Sequence, residues 1–89
     1  MDERSIPAFT RGTRLRHDAA RGQWVLLAPE RVFVPDEIAV EILRLVDGAT
    51  RLDAIIDSLA ARFEAPRDTV SADVLELVRG LAAKGLLRG

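Results

Sequence analysis

WVLLAPERVFVPDEIAVEILRLVDG, residues 24–48, decides the reading of this chain. Two short apolar stretches, Trp24 to Leu27 and Arg31 to Val34, are joined by a Pro29-Glu30 turn and run directly into a capped helix. Nothing after the second stretch offers a partner for its far side, so the spacing predicts a strand with a free edge. Unpaired N–H and C=O groups on such an edge are a template for another extended chain.

Working outward, Thr13 to His17 reads as a strand closed by an Asp18-to-Gly22 turn, giving three antiparallel strands at 13–17, 24–27 and 31–34. Asp36 is an N-cap, and Ile38, Ile42, Leu45 and Val46 recur at helical spacing until Asp47-Gly48. Thr50 opens a Thr-x-x-Asp variant of the capping box, followed by Leu52, Ile55, Ile56, Leu59, Ala60 and Phe63. Pro66 suits the first position of a third helix, whose core face is Val70, Val74, Leu77, Val78 and Leu81 up to Gly85, with Leu86 and Leu87 folding back as a tail. The expected fold class is α+β and winged-helix-like, a three-stranded antiparallel β-sheet followed by three α-helices. Residues 1–12 read as a flexible N-terminal arm anchored only by Ile6 and Phe9, and residues 13–89 as the single folded domain.

Composition narrows the function. Thirteen basic against fourteen acidic residues give a net charge of −1, with six arginines and four acids in residues 1–31 and seven basic against ten acidic residues beyond them. The third helix carries Arg67, Arg79 and Lys84 against Asp68, Asp73 and Glu76. A DNA-binding winged helix is the alternative reading of this architecture, but such a helix has no net attraction for phosphates, and no nucleic acid is expected as a partner. There is no cysteine and no tyrosine, and the one histidine, His17, sits beside a turn without a nucleophile. Catalysis is not expected. Asp53 and Asp57 lie four apart on the second helix, but a hard cation wants more oxygens than one helix face presents, so no metal and no cofactor is expected. Met1-Asp2-Glu3-Arg4 mixes charges, and the longest apolar run is far short of a signal core or a membrane span, so a cytoplasmic chain that avoids membranes is the expectation.

Setting Val70 at zero on a helical wheel places Ser71, Leu75 and Ala82 on a flank beyond the third helix's core face. If that flank lines a groove beside residues 31–34, an extended peptide pairs with Arg31, Val32, Phe33 and Val34 while Ser71, Leu75, Val78 and Ala82 receive its side chains. Arg31 and Arg79 would then stand at the rim. The alternative is that Leu75 covers a neighbouring helix.

Leu26-Leu27-Ala28-Pro29-Glu30, then Ala39 through Gly48, then Ala72-Asp73-Val74-Leu75 and Lys84-Gly85-Leu86-Leu87, in that order and spacing, resemble the PqqD family of pyrroloquinoline quinone (PQQ) biosynthesis. The resemblance spans roughly residues 6 to 88. It implies a non-catalytic peptide chaperone that binds the precursor peptide PqqA by strand addition and presents it to the radical S-adenosylmethionine enzyme PqqE for Glu-Tyr cross-linking. A recognition domain serving another peptide-modifying pathway is the neighbouring alternative. The family usually has a Leu-Asn-like pair where this chain has Val34-Pro35, and Pro35 removes one backbone donor from the end of the strand. A homodimer formed through the edge strand or the arm is also compatible with these features.

Overall fold

The computed structural model describes the whole chain, Met1 to Gly89. Its elements in order are β1 (Ala8–Phe9), β2 (Arg14–Asp18), β3 (Gln23–Ala28), β4 (Arg31–Phe33), α1 (Glu37–Leu43), α2 (Leu52–Arg62), α3 (Arg67–Ala83) and β5 (Leu87–Arg88). Strands β2, β3 and β4 form an antiparallel sheet in that order, the architecture is α+β as expected, and the register pairs Leu15 with Leu26 and Leu26 with Phe33. Leu26 sits at the middle of the central strand and is 1% exposed. It meets Ile42 and Leu43 of α1, Leu52, Ile55, Ile56 and Leu59 of α2, and Val74, Val78 and Leu81 of α3 in one core.

Local chemistry explains where the helices begin and end. The Asp36 carboxylate accepts the Ala39 amide at 2.8 Å and caps α1 as the sequence predicts. That helix is shorter than the spacing suggests. The amides of Leu45 and Val46 turn back to the carbonyls of Ile42 and Leu43, a tightened last turn, and Asp47 then accepts the amides of Ala49 and Thr50. The Thr50 hydroxyl donates to Asp47 at 2.9 Å and the Asp53 amide goes to the Glu3 carbonyl at 2.8 Å, so the expected capping box does not form. At the far end of α3, Gly85 takes φ 78° and the Leu86 amide reaches the Leu81 carbonyl at 2.9 Å, a Schellman stop that turns the chain back into β5.

The first twelve residues are a strap laid across the helices, where the sequence suggested a loose arm. Strand β1 pairs antiparallel with β5, Ala8 with Arg88 and Phe9 with Leu87. Helix α2 has no side-chain cap, and its first two amides, Leu52 and Asp53, are taken by the carbonyls of Ser5 and Glu3 at 2.9 and 2.8 Å. Glu3 also binds α3, accepting from Arg67 Nη2 at 2.7 Å and from the Ser71 hydroxyl at 2.7 Å, while Arg67 reaches Asp57 of α2 at 2.6 Å. Asp53 and Asp57 therefore each face an arginine, Arg51 and Arg67, instead of one another.

Hydrogen bonds from Arg67 and then Ser71 hold the Glu3 carboxyl below its ordinary value of 4.5. A group depressed in the folded state stabilises the fold above its unfolded pKa, and that contribution is lost as pH falls through the lowered value. Glu3→Gln should therefore flatten the acid limb of the stability curve below about pH 4.5 while leaving the neutral-pH core intact, as read by urea melts at several pH values. An unchanged acid limb would mean the strap is not held by this carboxylate.

Candidate functional site

The outer edge of β4 has no strand beside it. A two-residue loop closed by Ala28 and Arg31 makes these two a hydrogen-bonded pair, so antiparallel alternation directs the N–H and C=O of Val32 away from β3. The side chains on this edge are equally uncovered, with Val32 65% and Val34 63% exposed. Glu30 supplies the positive φ of the turn at 62°, a conformation that glycine or asparagine adopts more readily.

Arg31 ties the edge to the end of α3. Its Nη2 donates to the Lys84 carbonyl at 3.1 Å, one of the acceptors left open at a helix C-terminus, where a cation is also favoured by the helix dipole. Arg31 and Lys84 both lie over the Phe33 ring, 5.6 and 5.7 Å from its centroid. From this basic end a groove of about 410 Å³ runs between α1 and α3, lined by Asp36, Ile38, Asp73, Leu77, Gly80 and Lys84 among others. Asp73 and Glu76 line it about two to three helical turns back along α3 from Lys84, and Asp36 lines it from the start of α1.

Of the residues singled out in the sequence, Arg31, Val32, Phe33 and Val34 lie together along this edge. Ser71, Leu75, Val78, Arg79 and Ala82 do not line the groove. Val78 is in the core, Ser71 binds Glu3, and the Arg79 Nε donates to the Met1 carbonyl at 2.9 Å. Leu75 stands between Ser71 and Arg79 at i, i+4 spacing, and Ala82 continues the same stripe, so this flank of α3 is the one beneath the strap. The helical wheel identifies the lopsided stripe, and the strap that lies on this flank is invisible in the helix's own pattern.

The groove is lined instead by α3 residues that the wheel does not single out, Asp73, Leu77, Gly80 and Lys84 among them. One of them left a signal. Gly80 lies in the interior of a 17-residue helix, where glycine costs about 1 kcal/mol relative to alanine. A Cβ at this position would meet nothing within 4 Å, so no intramolecular packing explains the glycine. His17, by contrast, packs its ring at a tilt against Trp24 with centroids 5.1 Å apart and does not line the groove.

Comparison with known proteins places this geometry. Residues 23–87 match the family model of coenzyme PQQ synthesis protein D, PqqD. A protein of Rhodopseudomonas palustris (strain BisB5) called PqqA binding protein is 51% identical over 87 residues, covering 98% of this chain and 85% of that one. The solution structure of the PqqD truncation of Methylobacterium extorquens PqqCD, a stand-alone recognition element for ribosomally synthesized and post-translationally modified peptides, is similar at 40% identity and a TM-score of 0.83, covering 99% of this chain and 94% of that one. TbiB1 in complex with the TbiA(β) leader peptide is similar at 27% identity and a TM-score of 0.78, with 92% of this chain and 95% of that one covered.

If the β4 edge is open in solution, hydrogen exchange should find the Val32 amide unprotected between slowly exchanging Arg31 and Phe33 amides. Equal protection of all three would mean that something covers the edge.

Proposed function

This chain belongs to the PqqD family, and from that premise we propose that it binds the precursor peptide PqqA as an added β-strand on the outer edge of β4, with α3 forming the other wall of the site. Its function is peptide binding in PQQ biosynthesis. The single observation that carries the site is the uncovered edge itself, an outward-facing Val32 backbone with the exposed side chains of Val32 and Val34, beside a helix that carries an unpacked glycine. Relatives called PqqA binding protein, and the leader peptide held by TbiB1, support the same reading.

The energetics say what such a site needs. Val32 and Val34 offer about four outward backbone groups, each hydrogen bond contributing about 1 kcal/mol net. Pro35 offers no further donor. A complex of micromolar affinity requires about 8 kcal/mol, so backbone pairing supplies about half and side-chain contacts the rest. Leu77 and Ile38 supply apolar contact, Gly80 lets the peptide come close to α3, and the separated basic and acidic residues of the groove give the peptide a polarity.

Delivery to a modifying enzyme follows as the purpose of such a complex. In this proposal the chain hands PqqA to the radical S-adenosylmethionine enzyme PqqE in the cytoplasm, and the covalent chemistry belongs to that enzyme. A second copy of the chain competes for the same edge when no peptide is present.

Two substitutions test the site by different routes. Val32→Pro removes the outward donor and leaves the peptide carbonyl facing it unsatisfied, at about 1–3 kcal/mol, so it should weaken PqqA binding at least about fivefold in calorimetry while circular dichroism stays native. Gly80→Ala should raise helix stability by about 0.5–1 kcal/mol and yet weaken PqqA binding, because the added methyl projects into the groove. A Gly80→Ala variant that is more stable and binds as tightly as the parent would remove α3 from the site.

A further inference from the structure

Past Pro35 the ladder cannot continue, and the edge opens onto a second and larger cleft of about 730 Å³. Extending the β3–β4 register places Val34 opposite Val25 and Pro35 opposite Trp24, and Ile38, Ile42 and Asp73 line both this cleft and the first groove, so a peptide leaving that groove meets the second cleft. Trp24 and Pro35 form one wall, Ile38 of α1, Phe63 after α2 and Val70 of α3 the others. This apolar lining is accessible, with Ile38 65% and Phe63 54% exposed.

The charged residues in its lining have one sign, and two arginines lie just outside it. Glu37, Glu41 and Asp73 line the cleft, and no basic residue does. Glu41 is already neutralised, its Oε2 lying 2.6 Å from Arg62 Nη1 outside the lining. Glu37 and Asp73 have no ion-pair partner anywhere in the chain, and neither do Asp36 and Glu76 in the adjoining groove. The chain itself illustrates what such a surface attracts, since Arg62 lies over Phe63 at 5.0 Å and Arg44 over Trp24 at 5.1 Å.

We propose that this cleft is a second subsite for the same peptide, selective for a lysine or arginine about three residues along from the residue paired with Val32. The proposal rests on the peptide reading above and adds the chemistry of one side chain to it. A long aliphatic stem covers Ile38 and Phe63, and the cationic head lies between Glu37 and Asp73, the two lining carboxylates that have no ion-pair partner in the chain. An acidic or small apolar residue there would leave the carboxylates without a counter-charge.

The test uses the full chain, synthetic PqqA as the probe, and Trp24, the only tryptophan, as an intrinsic reporter. Each lysine and arginine of the peptide is replaced in turn by glutamine, and each peptide is titrated against the parent protein and against a Glu37→Gln/Asp73→Asn variant, both positions being exposed. Binding of the unaltered peptide should shift Trp24 emission. One peptide replacement should weaken binding to the parent about five- to tenfold, and the same replacement should change binding to the double variant by less than about twofold. The subsite is refuted if the peptide binds the parent tightly and loses affinity with Val32→Pro, yet no basic residue matters and the double variant binds normally. Failure of the peptide to bind the parent at all would instead overturn the strand reading, and this subsite with it.

Discussion

The rotational setting of α3 about its own axis is the constraint on which the rest depends. Val74, Val78 and Leu81 bury against α2 and the central strand, with Val78 fully enclosed and Val74 1% exposed. Fixing that face fixes both flanks. One carries Ser71, Leu75 and Arg79 beneath the strap, and the other presents Asp73, Leu77, Gly80 and Lys84 towards α1 and β4. Turning the helix by one residue, about 100°, would bury a charged position and break the Arg31 contact to the Lys84 carbonyl, so the groove's composition is a consequence of core packing.

The strap is the counterpart of that constraint. A domain of 89 residues has a modest core, and here two carbonyls from the N-terminal segment supply what α2's own sequence does not, acceptors for the Leu52 and Asp53 amides. Its ion pairs are exposed and individually weak, but Glu3 joins two helices and the strap through one carboxylate. The free edge on the opposite side is restrained by other means. It is three residues long, ends at Pro35, and is bounded by Glu30 and Arg31, so only a short segment of partner can add to it.

Most of the fold was legible because its signals are local: the Pro29-Glu30 hairpin, the Asp36 cap, the 3.6-residue period of Leu52 to Phe63, and the Gly85 stop. What escaped depends on pairings distant in sequence. The β1–β5 ribbon joins residues about eighty positions apart and only two long, too short to carry an alternating pattern. The Thr-x-x-Asp signal at Thr50 is present in the sequence, but the Thr50 amide and hydroxyl go to Asp47 and the Asp53 amide goes to the Glu3 carbonyl. On the site, the strand residues Arg31 to Val34 were readable from the missing neighbour strand, whereas the α3 residues required knowing which flank the strap occupies. Gly80 was the one local clue to the other flank.

A bound peptide should lie between β4 and the Leu77–Gly80 flank of α3 while the strap stays in place. Intermolecular nuclear Overhauser effects in a complex of isotope-labelled protein and unlabelled PqqA test this placement most directly. Cross-peaks are expected from the peptide backbone to the Val32 amide and from peptide side chains to Leu77, Gly80 and Ile38, with Ser5 still beside Leu52 and Met1 still beside Arg79. Cross-peaks from the peptide to Ser71, Leu75 and Ala82, with the strap displaced from α2 and α3, would contradict it.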